Sequence, residues 1–236
     1  MKNNCQSMRD KIIKESTNLF LHKGFQGTTI KDITAAVNLT KGAIYWYFKS
    51  KDELLDTFID EWEKSYLNTL IETVDNFAGD FLEKFKKYHK TTTEYALNNR
   101  ETCVAFTTIA AEMAGNGTMA EAKINSVFER YTEFIARLLE LGKKELFLSE
   151  DLDVNVAANV IIGMHNGILL QWYMKQNQID GTQLAKGLKS VILYGITHKA
   201  NHNKKISQHS QHILRDHGKH IEKINSRIHS HKEEFT

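Results

Sequence analysis

The chain has 236 residues, of which 25% are charged and 41% hydrophobic, and its formal net charge is +2. This length and composition are ordinary for a globular protein with one large or two modest domains. No apolar run reaches the roughly 18 residues that cross a bilayer, and the polar first residues carry no signal-peptide stretch. We therefore expect a cytoplasmic protein with no membrane contact.

The residues that usually interrupt helices are scarce. Proline is absent and glycine occurs only 13 times, while long stretches show helical periodicity. These features predict an all-α fold. Cys5 and Cys103 form neither a disulfide framework nor a CxxC pair, and we expect free thiols.

Positive charge is concentrated at both ends of the chain. Residues 1–51 hold nine Lys and Arg against three Asp and Glu, residues 52–198 hold 14 against 22, and residues 199–236 hold eight against four. A basic N-terminal region on an acidic body indicates contact with a polyanion. A solvated basic face would have the same composition.

The first predicted helix covers residues 8–23, where apolar side chains recur at helical spacing. Gly24 is suited to the position just after a helix end. Thr29 and Asp32 then form a capping-box pattern at the start of a second helix over residues 30–37.

Asn38 can adopt the left-handed conformation of a tight turn, and Thr40 can cap a third helix over residues 41–48. This is the helix-turn-helix layout, in which the last helix enters the DNA major groove. Ile44 and Phe48 can face the core, which leaves the other side free for DNA. The outward residues are Lys41, Gly42, Ala43, Tyr45, Trp46 and Tyr47. Trp46 could instead close the small core.

Residues 8–54 resemble the tetracycline-repressor (TetR) family of transcription regulators. The resemblance is carried by residues 24–30, GFQGTTI, and residues 33–54, ITAAVNLTKGAIYWYFKSKDEL. It implies a three-helix DNA-binding domain followed by a helical domain that dimerises and binds an inducer. Asn38 and Tyr47 stand where this family commonly has glycine and histidine.

The resemblance also implies roles for single residues. The expected contacts to the DNA backbone are Thr29, Thr40, Tyr45 and Lys51. The expected base-facing residues are Lys41, Gly42, Ala43 and Tyr47, and Trp46 extends the same exposed face. The expected domains are a helix-turn-helix domain over residues 1–53, a ligand-binding and dimerisation domain over 54–200, and a histidine-rich amphipathic tail over 201–236.

Capping patterns and chain breaks predict the later helices. Ser50 and Glu53 open a fourth helix that continues to about residue 77, and Thr118 and Glu121 open another. The expected helical ranges after the fourth helix are 79–98, 101–115, 118–147, 151–175 and 181–200.

The segment 154–173 is apolar on nearly every side, which is typical of a helix buried among others. With the next helix it would form half of a four-helix dimer bundle. The expected interface residues are Gly163, Gly167, Leu170, Leu188, Val191 and Ile192. The alternative is that the same residues form the core of a monomer.

Methionine and aromatic side chains in the body can line an adaptable apolar ligand cavity, although at helical spacing they can also be ordinary core. The expected ligand-binding residues are Phe106, Met113, Phe128, Met164, His165, Trp172 and Tyr173. Glu112, His165 and Asn166 are polar residues within apolar stretches, and one of them could orient a ligand head group. His165 could equally be a hydrogen-bonded core histidine.

Eight of the eleven histidines lie in the last 39 residues. Apolar residues at alternating spacings of three and four predict an amphipathic helix over residues 206–235. A disordered basic tail and a metal site are the alternatives for this segment.

These patterns predict a ligand-responsive transcription regulator of the repressor type. It would bind a palindromic operator as a homodimer and be released by a small apolar or amphipathic effector. A metal-responsive regulator that uses the histidine-rich tail is the alternative. Phosphate loops, glycine-rich dinucleotide turns and HExxH motifs are all absent, so we expect neither an enzyme nor a cofactor.

Overall fold

The computed structural model describes residues 2–175 and 178–196. Every regular element in these two ranges is a helix, which confirms the all-α fold. The helices are α1 (Lys2–Lys23), α2 (Ile30–Val37), α3 (Lys41–Tyr47), α4 (Lys51–Trp62), α5 (Thr69–Asp75), α6 (Phe81–Asn98), α7 (Arg100–Met113), α8 (Met119–Lys144), α9 (Val154–Met174) and α10 (181–196). We call residues 2–48 the head and residues 51–196 the body. The helix predicted over 206–235 lies outside the described residues.

Side-chain caps begin the short helices of the head as the sequence predicts. Thr29 and Asp32 form a complete capping box for α2, and the Thr40 hydroxyl accepts a hydrogen bond from the backbone N–H of Ala43 in α3. Asn38 ends α2 in the left-handed conformation, at φ 56° and ψ 50°. The turn between α2 and α3 is therefore set by local chemistry.

Several helix bounds differ from the prediction, and three of the differences have a clear physical cause. α1 begins at Lys2 rather than Met8, because apolar periodicity marks only the part of a helix that is packed against a core. α8 ends at Lys144, before Leu146 adopts a φ of 62°. α9 begins at Val154, because the Asp153 carboxylate caps it.

The predicted fourth helix is a continuous helical run of three parts. α4 passes into a π-helical segment, Glu63–Asn68, which continues as α5 to Asp75. Such π segments are rare and occur frequently at functional sites. Trp62 and Tyr66, on this stretch, point into the body, where they are 7% exposed.

Two hydrophobic clusters organise the packing. The smaller one closes the head, and its buried members are Ile12, Ile13, Ile33, Val37, Ile44, Phe48 and Leu54. The larger one fills the body and also includes Phe20 from α1 and Phe25 from the turn after it. The C-terminal end of α1 is therefore anchored in the body. A domain boundary near residue 53 stays a prediction, since Leu54 packs with the head.

Candidate DNA-binding face and ligand cavity

α3 divides cleanly into a buried and an exposed side. Ile44 and Phe48 are 0% and 1% exposed, whereas Tyr45 and Trp46 are 43% and 71% exposed. The Trp46 ring packs edge-on against Tyr47, with centroids 4.7 Å apart, and the Lys41 ammonium lies 5.7 Å from the Tyr45 ring centroid. Trp46 therefore does not close the core of the head.

The other outward residues of α3 lie on the same surface. Lys41 and Gly42 are exposed, and Ala43 and Tyr47 are half-buried. Thr29 and Thr40 are exposed at the N-termini of α2 and α3. Apart from Lys51, the residues expected to contact DNA are therefore exposed or half-buried on the head, and their contact with DNA stays a prediction.

Lys51 is held by the protein itself. Its ammonium donates hydrogen bonds to the carbonyl oxygens of Phe25 at 2.7 Å and Thr28 at 2.9 Å, and it lies 4.3 Å from the Phe25 ring centroid. An ammonium has three donors, so one is left for a phosphate. The DNA contact of Lys51 stays a prediction, beside a structural role that the sequence did not reveal.

The turn after α1 is also held from the body. The Glu112 carboxylate, on α7, accepts hydrogen bonds from the backbone N–H groups of Phe25 at 2.7 Å and Gln26 at 2.8 Å. Gly24 permits this approach, because its φ is +74° and a Cβ there would lie 3.2 Å from Glu112 Oε2. Glu112 therefore joins the body to the head. That one of Glu112, His165 and Asn166 orients a ligand stays a prediction.

Two small cavities lie inside the body and share lining residues. The first, which we call the tyrosine cavity, has a volume of about 70 Å³. Its lining is Trp62, Tyr66, Thr92, Ala96, Cys103, Phe106, Thr107, Phe128, Tyr131, His165, Asn166 and Leu169. The second, the histidine cavity, has a volume of about 50 Å³. It shares Thr92, Ala96, His165 and Leu169 and adds His89, Thr93, Leu97, Ile168, Trp172, Gly181, Leu184, Ala185 and Leu188.

Phenol hydroxyls form a buried hydrogen-bond network beside the tyrosine cavity. The Tyr131 hydroxyl lies 2.9 Å from that of Tyr66 and 3.2 Å from that of Tyr88. Burial raises the pKa of all three phenols, and it raises the pKa of the Cys103 thiol to about 12. These groups are therefore neutral at physiological pH.

Two histidines that line the cavities each have one ring nitrogen that can only accept a hydrogen bond. His165 Nδ1 lies 2.9 Å from the carbonyl oxygen of Ile161, and His89 Nε2 lies 2.8 Å from that of Ala185. A carbonyl oxygen only accepts, so each of these nitrogens carries the proton and the other ring nitrogen is a lone-pair acceptor. Burial lowers the pKa of His89, and it lowers the pKa of His165 from 6.5 to about 4.

The expected ligand residues are only partly brought together. Phe106, Phe128 and His165 line the tyrosine cavity, and Trp172 lines the histidine cavity. Met164 lines an open surface groove between α9 and α10. Met113 is 2% exposed in the core and lines neither cavity, and neither does the half-buried Tyr173.

Sequence reasoning missed much of the cavity wall. Trp62 and Tyr66 read as core positions of a long helix, yet the Trp62 ring stacks on Phe106 at 3.7 Å and both line the tyrosine cavity. The sequence did not single out Thr92 and Cys103 as cavity residues, because small residues occur throughout helices. Only the crossing of α4, α6, α7 and α9 assembles these side chains.

The interface residues predicted on α9 and α10 separate into two groups. Leu188 and Ile192 are 4% and 3% exposed in the core of this chain, as the monomer alternative expected. Leu170 is half-buried. Gly163 and Gly167 are exposed, and among the described residues nothing lies within 4 Å of a Cβ built on either.

An exposed apolar surface surrounds these two glycines. On α9, Val156 and Val160 are 59% and 55% exposed, and on α10, Val191 and Tyr194 are 61% and 67% exposed. We call this surface, with Gly163 and Gly167, the α9–α10 face. Exposed apolar side chains on neighbouring helices are typical of an interaction site.

Within residues 2–175 and 178–196, no group of three or more His, Cys, Asp and Glu is placed to hold a metal ion. The histidine-rich tail invoked by the metal alternative lies outside those ranges. In the same part of the chain, no helix combines the length and the apolar character that crossing a bilayer requires.

The comparisons with known proteins agree with this architecture. Residues 12–57 match the family described as bacterial regulatory proteins, tetR family, and residues 53–195 match the YsiA-like protein C-terminal region. The HTH-type transcriptional repressor DhaR of Mycobacterium sp. strain GP1 is 20% identical over 171 residues, which are 72% of this chain and 85% of the relative.

Solved structures show the same fold. The MbdR regulator from Azoarcus sp. CIB is 26% identical, with a TM-score of 0.74 over 80% of this chain and 98% of that chain. AibR in complex with isovaleryl coenzyme A and operator DNA is 20% identical, with a TM-score of 0.63 over 78% of this chain and 97% of that one. DhaR is described as a transcriptional repressor and MbdR as a regulator. On the two family matches, which together span residues 12–195, this chain belongs to the tetR family of bacterial regulatory proteins.

Proposed function

We propose that the protein is a ligand-responsive repressor. As a homodimer it binds a palindromic operator through α3, and a small molecule in the tyrosine and histidine cavities releases it. The observation that carries the DNA-binding part is the two-sided character of α3, with Tyr45 and Trp46 exposed and Ile44 and Phe48 buried. Large aromatics exposed on a short, lysine-flanked helix suit packing on sugars and bases and hydrogen bonds to phosphates.

The α9–α10 face supports the homodimer. Its apolar side chains are exposed in the single chain, and the open space over Gly163 and Gly167 would admit a helix of a second copy. A two-fold dimer sets two recognition helices about one DNA turn apart, which matches a palindromic site. Leu188 and Ile192, which are buried in this chain, would stabilise the face by packing in the core and would not contact the second copy.

Relatives support repression and release by a ligand. DhaR is a transcriptional repressor, and AibR has been solved with both isovaleryl coenzyme A and operator DNA. The cavities of this chain are lined by helices α4 and α6 to α10, so a ligand that enlarges them would move some of these helices apart. A ligand changes DNA affinity only to the extent that it binds the two conformations differently.

The link from Glu112 offers a route from cavity to head. Phe106 lines the tyrosine cavity and Glu112 holds the turn after α1, and both belong to α7. A shift of α7 would therefore pull on the turn that precedes the cap of α2. The same turn is held by Lys51 at the start of α4.

The direct test is a titration of the purified protein against the DNA upstream of its own gene, followed by fluorescence anisotropy at two salt concentrations. We expect saturable binding that weakens steeply with salt, because bound phosphates release counterions. A scrambled duplex of equal length is the control. Equal affinity for both duplexes, or the lack of any binding, would refute the proposed function.

A further inference from the structure

Three buried polar atoms at the cavities lack a hydrogen-bond partner among the described residues. They are Nε2 of His165, Nδ1 of His89 and Nε1 of Trp62. The two histidine nitrogens are acceptors, because the opposite nitrogen of each ring donates to a backbone carbonyl. The indole nitrogen of Trp62 is a donor. Buried polar groups are normally paired, so each unpaired atom indicates a position for a ligand atom.

These three residues lie around connected space. His165 lines both cavities, Trp62 lines the tyrosine cavity, and His89 lines the histidine cavity. The His89 and His165 ring centroids are 5.8 Å apart. In the tyrosine cavity, which His165 and Trp62 both line, a ligand meets one unpaired acceptor and one unpaired donor. A hydroxyl group matches this set, because it donates one hydrogen bond and can accept another.

The charge of the lining residues limits the charge that a ligand can carry. The residues that line the two cavities include no Lys, Arg, Asp or Glu. A buried carboxylate or phosphate would find no countercharge among these lining residues, which disfavours its burial. The lowered pKa of His165 also keeps its imidazole neutral at physiological pH, so it offers a lone pair and not a cation. The rest of the lining is largely aromatic and aliphatic.

We propose that the effector site takes a small uncharged molecule that carries a hydroxyl group on a compact apolar or aromatic body. The hydroxyl donates to Nε2 of His165 and accepts from Nε1 of Trp62, and the body replaces empty space between Phe106, Phe128 and Leu169. The two cavity volumes, about 70 and 50 Å³, favour a ligand of one ring over a long chain. This proposal rests on the proposed function, because it concerns the same cavity.

Three probes of one ring size test the proposal: phenol, toluene and benzoate. Their binding to the DNA-free protein is measured by isothermal titration calorimetry at pH 7.5. We expect phenol to bind about tenfold more tightly than toluene, the difference that one net hydrogen bond makes. Benzoate should bind more weakly than phenol, because the cavity has no cation to pair with its carboxylate.

Two variants test which side chains of the protein cause the preference for phenol over toluene. His165→Leu should reduce the preference for phenol over toluene to less than twofold, and Trp62→Phe should reduce it in part. His22→Gln, which alters an exposed histidine of α1, is the matched control and should keep the full preference. If His165→Leu does not fold, the affinities of the three probes for the unaltered protein still test the proposed ligand class.

The proposal is overturned if toluene binds as tightly as phenol, if benzoate binds most tightly, if His165→Leu retains the preference, or if none of the probes binds. The proposed function is tested separately by the operator titration. Operator binding without a phenol preference would leave the repressor intact and reject the ligand class. A phenol preference without operator binding would reject the repressor and leave the cavity chemistry standing.

Discussion

At the scale of single residues, the contacts made on one side of a helix or ring determine which groups stay accessible on the other side. Tyr45 and Trp46 are exposed because Ile44 and Phe48 occupy the buried side of the same short helix. His165 presents a bare nitrogen because its other nitrogen is committed to the Ile161 carbonyl, one helical turn earlier. In the first case two aromatic rings stay exposed, and in the second case one ring nitrogen has no hydrogen-bond partner among the residues that the structure describes.

Tyr45→Ala should weaken DNA binding about tenfold on operator and scrambled DNA alike, because it removes a phosphate contact and not a base contact. Tyr45→Phe keeps the ring and should show a smaller loss. Anisotropy titrations measure both, and circular dichroism checks that the fold persists. Unchanged affinity in Tyr45→Ala would remove α3 from the DNA interface.

The pH dependence of stability should carry a signature of His165. Its pKa is about 4 in the fold and 6.5 when unperturbed, so between these values the unfolded chain binds more protons. The free energy of unfolding should therefore fall as the pH is lowered through this window. From pH 7.5 to 5.5 we expect His165 to contribute a loss of about 1 kcal/mol.

Urea unfolding at the two pH values measures this loss. In His165→Leu the difference between pH 7.5 and 5.5 should shrink by the same amount, whereas His22→Gln should retain it. An equal pH difference in the parent protein and in His165→Leu would show that the buried imidazole does not resist protonation.

At the scale of elements, α7 is the helix that belongs to both parts of the molecule. Phe106 on α7 lines the tyrosine cavity, and Glu112 near its C-terminal end holds two backbone N–H groups of the turn after α1. Charged acceptors make stronger hydrogen bonds than neutral ones. This carboxylate is therefore one of the contacts that attach the head to the body, beside the packing of Phe20 and Phe25 in the body core.

Glu112→Ala should lower both the free energy of unfolding, by about 2 kcal/mol, and the operator affinity, because two backbone donors lose their acceptor and the head is less firmly oriented. Glu121→Ala is a matched control. Glu121 also accepts from two backbone N–H groups, those of Gly115 and Gly117, but within the body. We expect Glu121→Ala to lose stability by urea unfolding and to keep operator affinity. A parallel loss of affinity in both variants would contradict a specific role for Glu112.

At the scale of the whole molecule, residues 2–175 and 178–196 present an exposed apolar surface on α9 and α10. The valines of α9 and α10 on this surface are more than half exposed, while Leu188 and Ile192 beneath them are buried. Since isologous interfaces use the same patch on both subunits, one substitution there acts twice in a dimer. We therefore expect the proposed homodimer to be sensitive to single changes on the α9–α10 face.

Val191→Glu should convert a dimer into a monomer and weaken operator binding at least tenfold, because two carboxylates would be buried without partners. Met119→Glu is the control, since Met119 is 88% exposed at the start of α8 and outside this face. Analytical ultracentrifugation gives the mass of each variant. A dimer that persists in Val191→Glu would show that the subunits meet elsewhere.

The sequence by itself determined the helical class, the capped starts of α2, α3 and α4, and the outward face of α3, because these depend on residues a few positions apart. It also carried the family resemblance of residues 8–54. Only the tertiary structure decided that Glu112 binds a turn 87 residues away, that Lys51 is held by carbonyls, and that Trp62 and His165 border one cavity. These contacts depend on how the helices cross, and helical periodicity records which side of a helix is buried but not which partner it meets.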